Sequence, residues 1–260
     1  MDISSGLTKP CIKRRFSAAL ATYDQQSEVQ RRINLRLLQL LQRTGRKHFR
    51  HILEVGCGTG GLTRLLAQHC RAAQWTLNDL CDTRFFIDKI LQGQNYQFHC
   101  GDAETVRFTS RYDLIASASA LQWFSRPQAF IRQCVDKLNN DGLLLLSTFS
   151  PDNLIEIKEL TGIGLTYPTI MQWRQWLSER FDLLHLSERQ MILTFDSPQV
   201  ILQHLRQTGV TATHRQIWTK NRLQRFIRQY QQHYQNERRQ YPLTYSPILI
   251  LARKREYHHA

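Results

Sequence analysis

The stretch HILEVGCGTGGLTRLLA, residues 51–67, decides the fold. His51 to Val55 is an apolar run of strand length. Gly56, Gly58 and Gly60 follow it directly. Leu62, Leu65, Leu66 and His69 then fall at helical spacing. Strand, glycine loop and helix in this order form a nucleotide-binding turn. Glycines lacking Cβ atoms let the backbone bend sharply and approach a ligand closely. The helix end offers free N–H groups to an anion. Gly56, Gly58 and Gly61 also satisfy the GxGxxG spacing, so the loop alone leaves a dinucleotide reading open.

Working outward, the same alternation repeats. Gln74 to Asn78, Tyr96 to Cys100 and Tyr112 to Ser117 read as strands, with a helix over Thr83 to Leu91. Pro127 opens a helix through Leu138, as proline does in a first turn. Asn139 to Gly142 reads as a turn and Leu143 to Phe149 as a buried strand. Before the decisive stretch, Val29, Ile33, Leu37, Leu40 and Leu41 form one helical stripe over residues 25–44. Strands alternating with helices predict an α/β fold with a parallel sheet. Past residue 150, Asp152 to Leu160, Ile170 to Arg180, Pro198 to Gln207 and Lys220 to Gln235 read as helices. Leu183 to Phe195 and Leu243 to Ala252 read as single late strands, with residues 196–240 a lid-like insertion between them. With no linker-like stretch to divide it, the chain is expected to form one domain over 1–260. It would consist of a helical cap at 1–48, a core at 49–150 and that insertion.

Three acidic features separate the ligand readings. Glu54 stands inside the first strand, before the glycines. Asp79 lies 19 positions after Gly60, just past the second strand, where a carboxylate can accept both hydroxyls of a ribose. Gly101-Asp102-Ala103-Glu104 follows the third strand, where Asp102 can accept from an adenine amino group. Tyr112-Asp113-Leu114-Ile115 starts the fourth. This ordered set resembles the class I S-adenosylmethionine-dependent methyltransferases over residues 50–150. The resemblance implies a Rossmann-like, seven-stranded, mostly parallel sheet with helices on both faces and an antiparallel last strand. It also implies site positions. Glu54, Gly56 and Gly58 line the methionine end, and Asp79 holds the ribose with Leu80 against the adenine. Asp102 and Ala103 meet the adenine, and Ser117 lies near the methionyl part.

Segments outside the core bear on the methyl acceptor. Phe16 to Asp24 reads FSAALATYD, Ser119 to Trp123 reads SALQW, Leu205 to Ala212 reads LRQTGVTA, and Tyr241 to Tyr245 reads YPLTY. Together they resemble the malonyl-acyl carrier protein O-methyltransferases of biotin synthesis. That resemblance implies methylation of the free carboxylate of a malonyl thioester. Such an acceptor needs no base, because a carboxylate is ionised near neutral pH. No NPPY or DPPY follows the fourth strand, so the amide and adenine N-methyltransferases that use it are not indicated. By the same resemblance Arg206 pairs with the malonyl carboxylate, Tyr23 closes over the cofactor, Trp123 and Gln122 shape the pocket, and Tyr245 hydrogen-bonds near it. One departure stands out: family members often carry arginine just before YPLTY, and here that residue is Gln240.

Charge indicates the partner class. The chain of 260 residues carries a net +14. Residues 1–50 contribute +8, residues 51–200 contribute −3, and residues 201–260 contribute +9. The excess therefore flanks the core and points to an acidic or polyanionic partner. The family resemblance makes that partner an acidic acyl carrier protein, with RNA or another small-molecule acceptor as the alternative. The basic candidates include Arg14, Arg15, Arg31, Arg32, Arg222, Arg225, Arg228, Arg238 and Arg239. No apolar run reaches the roughly 18 residues of a membrane span. The six cysteines have neither zinc spacing nor a CxxC pair, which suits reduced thiols in a cytoplasmic enzyme without a metal.

Overall fold

A computed structural model of the protein describes residues 8–208 and 219–256. The chain divides into two compact units. The larger takes Glu28–Thr148, Pro168–Glu188 and the chain from Ile248 on. The smaller takes the chain up to Ser27, Phe149–Tyr167 and Arg189–Pro247.

The larger unit is built on a seven-stranded sheet. Its strands are β1 (His48–Val55), β2 (Arg71–Asp79), β3 (Tyr96–Cys100), β4 (Tyr112–Ser117), β5 (Leu138–Phe149), β6 (Phe181–Glu188) and β9 (Pro247–Lys254). They lie in the order β3-β2-β1-β4-β5-β9-β6. The strands from β3 through β2, β1 and β4 to β5 pair in parallel, and β9, last in the chain, runs antiparallel to β6. This is the Rossmann-like, mostly parallel sheet expected from the sequence.

Alternation along the strands explains the two helical layers. Leu53, Val55, Ile115, Leu144 and Leu146 point to one face. There they join Phe130, Ile131 and Cys134 of α5 (Pro127–Lys137) and Trp173 and Leu177 of α7 (Ile170–Ser178). Glu54 points to the other face, where it meets Thr63 of α3 (Gly61–His69). Helix α2 (Glu28–Gln42) lies beside α3, so close that a Cβ on Gly61 would stand 2.8 Å from the Asn34 amide. The α2 stripe is the one read from sequence: Val29, Ile33, Leu37 and Leu41 are all buried. Burial of each such side chain is worth roughly 2 kcal/mol. Helix α4 (Arg84–Ile90) completes this unit's helices.

The expected turn at 139–142 is an excursion within β5. Tyr112 pairs with Leu138, yet Leu114 pairs with Leu143, so four residues of β5 stand opposite Asp113. Asp141 there has φ 60°, and a Cβ on Gly142 would meet the Asn139 carbonyl at 2.8 Å. The stretch thus bends as a turn does, while the strand continues through it.

The smaller unit holds α1 (Lys9–Gln26), α6 (Ile155–Thr161), α8 (Pro198–Gln207), α9 (Lys220–Tyr234) and a two-stranded antiparallel sheet of β7 (Met191–Phe195) and β8 (Tyr241–Tyr245). Two expectations are corrected here. The single strand expected over 183–195 is two, β6 and β7, in different sheets. The single strand expected over 243–252 is likewise β8 and β9, parted at Ser246. Ser246 donates its N–H to Asn153 Oδ1 at 3.2 Å and accepts from Ser150 N at 2.9 Å. Its backbone is thus satisfied inside the smaller unit between the two strands. The insertion at 196–240 therefore sits between two strands that pair with each other.

Candidate active site

The site of the larger unit lies at the carboxyl ends of β1 to β4. Gly56 and Cys57 donate to the Asn78 carbonyl at 2.8 and 3.0 Å, which folds the glycine loop over the end of β2. The loop closes on itself where Gly60 N meets Cys57 O at 2.9 Å. The glycines have different reasons to be glycine. Gly56 has φ 72°, and a Cβ there would stand 2.4 Å from that of Ala120, in the segment after β4. Gly60 has φ 82° and is crowded by Ile90 of α4. Gly58 has φ 52° and no atom within 4 Å of where its Cβ would be. Only Gly58 faces open space.

Asp79 fixes this loop. Its Oδ2 accepts from Gly58 N and its Oδ1 from Cys81 N, each at 2.8 Å. Burial raises its pKa, and backbone N–H groups of Cys81, Gly58 and Leu80 oppose that rise. A carboxylate offers about four acceptor positions, so with these three donors in place capacity remains for a ribose hydroxyl. Leu80 beside it is half-buried. Asn78, which the motif reading did not single out, donates to the carbonyls of His99 and Gly101 at 2.9 and 3.0 Å. It thereby binds the end of β3 to β2.

Glu54 is 1% exposed. Its Oε2 accepts from the Thr63 hydroxyl at 2.7 Å, and the Thr63 N–H opposes the same upward shift. Thr63 lies in the first turn of α3, so Glu54 caps the helix that the glycine loop opens. Burial still dominates and pushes its pKa up to about 8, with the Asp79 charge adding to the rise. Cys57 and Cys81 are buried here, and burial drives the Cys57 thiol far above its ordinary range. A thiol held protonated by burial, as at Cys57, is a poor nucleophile.

Asp102 Oδ1 accepts from Glu104 N at 3.1 Å, and its carbonyl accepts from Thr105 and Val106. Ala103 is buried in the core beneath. Glu104 holds this loop to the start of α5 through Ser125 N and Arg126 N at 2.9 and 2.7 Å. At the end of β4, the Ser117 hydroxyl is fully buried and has no hydrogen-bond partner. Ser119 follows with φ 53°, held there because its N–H meets the Ser147 hydroxyl at 2.9 Å. Gln122 Nε2 donates to the Ser119 carbonyl at 2.6 Å, within the single turn Leu121–Trp123. Gln122 and Trp123 are half-buried. The sheet therefore brings Glu54, Gly56, Gly58, Asp79, Leu80, Asp102, Ala103, Ser117, Gln122 and Trp123 to one edge. Open space at Gly58, a spare acceptor position on Asp79 and an unpartnered buried hydroxyl at Ser117 suit a nucleoside bearing an amino-acid arm. That is the chemistry of S-adenosylmethionine.

The smaller unit holds the remaining candidates. Tyr23 is half-buried on α1, with its ring 5.4 Å from that of Phe16. Arg206 is exposed in the last turn of α8. Tyr245, in β8, is buried, and its hydroxyl meets His204 Nε2 at 2.9 Å. Burial moves the Tyr245 hydroxyl well above the ordinary phenol range. His204, itself buried, went unnoticed in the sequence because its partner lies 41 residues away. Of LRQTGVTA, residues 209–212 lie outside the described residues. Among the described residues, no group of three His, Cys, Asp or Glu could hold a metal ion. No helix among them is long and apolar enough to cross a membrane.

Comparison with known proteins agrees with this geometry. Residues 53–146 match the model of a methyltransferase domain family. The YcgJ protein of Bacillus subtilis, 16% identical, superposes with a TM-score of 0.62 over 85% of this chain and 99% of its own, and so shares the fold. A malonyl-[acyl-carrier protein] O-methyltransferase of Porphyromonas gingivalis is 46% identical over 242 residues, covering 92% of this chain and 94% of that one. One of the same name from Haemophilus influenzae is 41% identical over 254 residues, covering 97% of each. These matches extend over the smaller unit as well as the methyltransferase core, and the chain belongs to the malonyl-[acyl-carrier protein] O-methyltransferase family.

Proposed function

We propose that the protein transfers a methyl group from S-adenosylmethionine to the free carboxylate of a malonyl thioester carried by an acyl carrier protein, in the cytoplasm. One observation carries this reading. Relatives bearing that name match 92% of the chain, well beyond the cofactor core at 53–146.

The cofactor supplies an electrophilic methyl on a positively charged sulfur, which leaves as a neutral thioether once a carboxylate oxygen has taken the methyl. No proton moves in that exchange, so the protein needs no general base, and its work is alignment. Asp79 takes a ribose hydroxyl with the acceptor capacity its backbone contacts leave. Asp102 and Ala103, with Leu80, hold the adenine. Glu54 and Ser117 face the amino-acid arm, and Gly56 and Gly58 let it approach the loop. Arg206 holds the malonyl carboxylate through its guanidinium fork. Tyr23 and Trp123 orient the acceptor, and Gln122 and Tyr245 bind it. The methyl ester produced carries no charge where the malonyl group carried one.

The test uses tritiated S-adenosylmethionine with malonyl-carrier protein and with malonyl-coenzyme A. A base-labile tritiated ester on either supports the reading, and its absence from both removes it. Arg206→Ala should raise KM for the malonyl substrate roughly 10- to 100-fold, the loss of one charge-assisted hydrogen-bonded pair. Cofactor affinity should stay within twofold of wild type. Equal loss of both would refute the role of Arg206.

A further inference from the structure

Helix α9 carries Lys220, Arg222, Arg225 and Arg228 and no acidic residue among its fifteen. Packing fixes its orientation. Phe226 and Tyr230 are buried, and the Tyr230 hydroxyl donates to the Pro242 carbonyl at 2.5 Å. Arg225 and Arg228 are exposed. A cleft of about 440 Å³ opens at the start of the helix. Leu160, Thr161, Thr219, Arg222, Arg225 and Phe226 line it, and no acidic side chain does. The first turn is capped by Thr219, whose hydroxyl accepts from Arg222 N at 3.3 Å. The positive end of the helix therefore adds to the guanidinium charge at the cleft.

We propose that this face of α9 is the docking surface for an acidic face of the carrier protein, a reading that rests on the function proposed above. Arg222, Arg225 and Arg228 span about 9 Å along the helix at its 1.5 Å rise. Gln229, Gln231 and Gln232 then end the charged patch. Three guanidiniums over so short a length suit a compact cluster of carboxylates on a small partner. A nucleic acid would draw on a longer track, since its affinity accumulates over many phosphates. Half-buried Leu160 at the cleft gives such a protein partner some apolar surface to bury between the charges. Its main effect is on encounter rate and partner choice.

The experiment compares wild type with Arg225→Glu/Arg228→Glu and Arg225→Ala/Arg228→Ala, both made at exposed positions. Fluorescence anisotropy with labelled holo-carrier protein measures binding without any methyl transfer. The Glu pair should weaken it at least tenfold and flatten its salt dependence, with the Ala pair between. KM for malonyl-carrier protein should rise by the same factor. Rates on malonyl-pantetheine, which has no carrier surface, should change less than twofold. Carrier affinity within twofold of wild type overturns the proposal. So does loss of affinity for a labelled RNA 20-mer with carrier affinity kept, which assigns the face to nucleic acid. An equal fall on both thioesters also overturns it, because the damage then lies in the site. A failed function reading would show differently, as no ester on any thioester while carrier binding still responds to the charge reversal.

Discussion

Exchanging Glu54 for Gln separates what this side chain does for the fold from what it does for the cofactor. The carboxyl is 1% exposed, and burial pushes its pKa up to about 8. In an unfolded chain it titrates near 4.3. Between those two values the folded protein keeps a proton that the unfolded chain releases. Stability therefore falls as pH rises across that window and levels off above the folded value. By pH 7 roughly 2.5 units of the window have been crossed, a cost of about 3 kcal/mol at 1.36 kcal/mol per unit. Gln has the same shape, carries no charge and still accepts from Thr63. The variant should therefore be more stable than wild type by up to about 3 kcal/mol at pH 7, and about equal near pH 4.5. For a chain of this size that is on the order of 6–12 °C in Tm. Urea melts of the cofactor-free protein at pH 5, 7 and 8.5 measure it. Cofactor affinity should move the other way. If the ionised carboxylate faces the cationic amino-acid arm, wild-type affinity rises up to about tenfold per pH unit below the folded pKa. The variant loses both that affinity and its pH dependence. Parallel stability curves for the two proteins would refute the burial argument. Unchanged cofactor affinity in the variant would refute the assignment of Glu54 to the site.

Two further substitutions probe the packing around the candidate residues. Gly58→Ala places its Cβ in open space at φ 52° and should cost only about 1–2 kcal/mol of backbone strain. It should nonetheless weaken cofactor binding at least tenfold by calorimetry. Gly56→Ala meets the Ala120 Cβ at 2.4 Å and should melt markedly lower than Gly58→Ala, and the opposite ranking would contradict the loop geometry. In the smaller unit, His204→Ala removes the imidazole partner of the buried Tyr245 hydroxyl and should cost about 1–3 kcal/mol. A double-mutant cycle with Tyr245→Phe should show the two losses to be less than additive, and strict additivity would mean that the pair does not interact.

Much of this was legible in the sequence, for local reasons. Strands β3 and β4 have the bounds read from sequence, because the alternation of Tyr96, Phe98 and Cys100 stops at Gly101 and the apolar run of β4 stops at Ser117. Strands β1 and β2 begin three residues earlier than their apolar runs. His48 pairs with Arg71 there, and a backbone ladder needs no apolar side chain. The late strands are not separable in the sequence, because apolar alternation continues from β6 into β7 and from β8 into β9. A period of two records which face a residue takes but not which sheet it joins. Helix α1 buries little beyond Ile12 and Ala19, so its stripe gives a weak signal. The site shows the same division. Glycines and acids within one strand-loop-helix turn form a motif. The supports that hold them, Asn78 to β3, Glu104 to α5 and His204 to Tyr245, join residues 21 to 41 positions apart and leave no spacing to read.

The proposed reaction is tested most directly by transfer of a tritiated methyl to malonyl-carrier protein. Wild type should form a base-labile ester on the malonyl group, and Asp79→Ala and Arg206→Ala should form strongly reduced amounts of it. Label in RNA or in a small metabolite, with none on either malonyl thioester, would contradict that reaction.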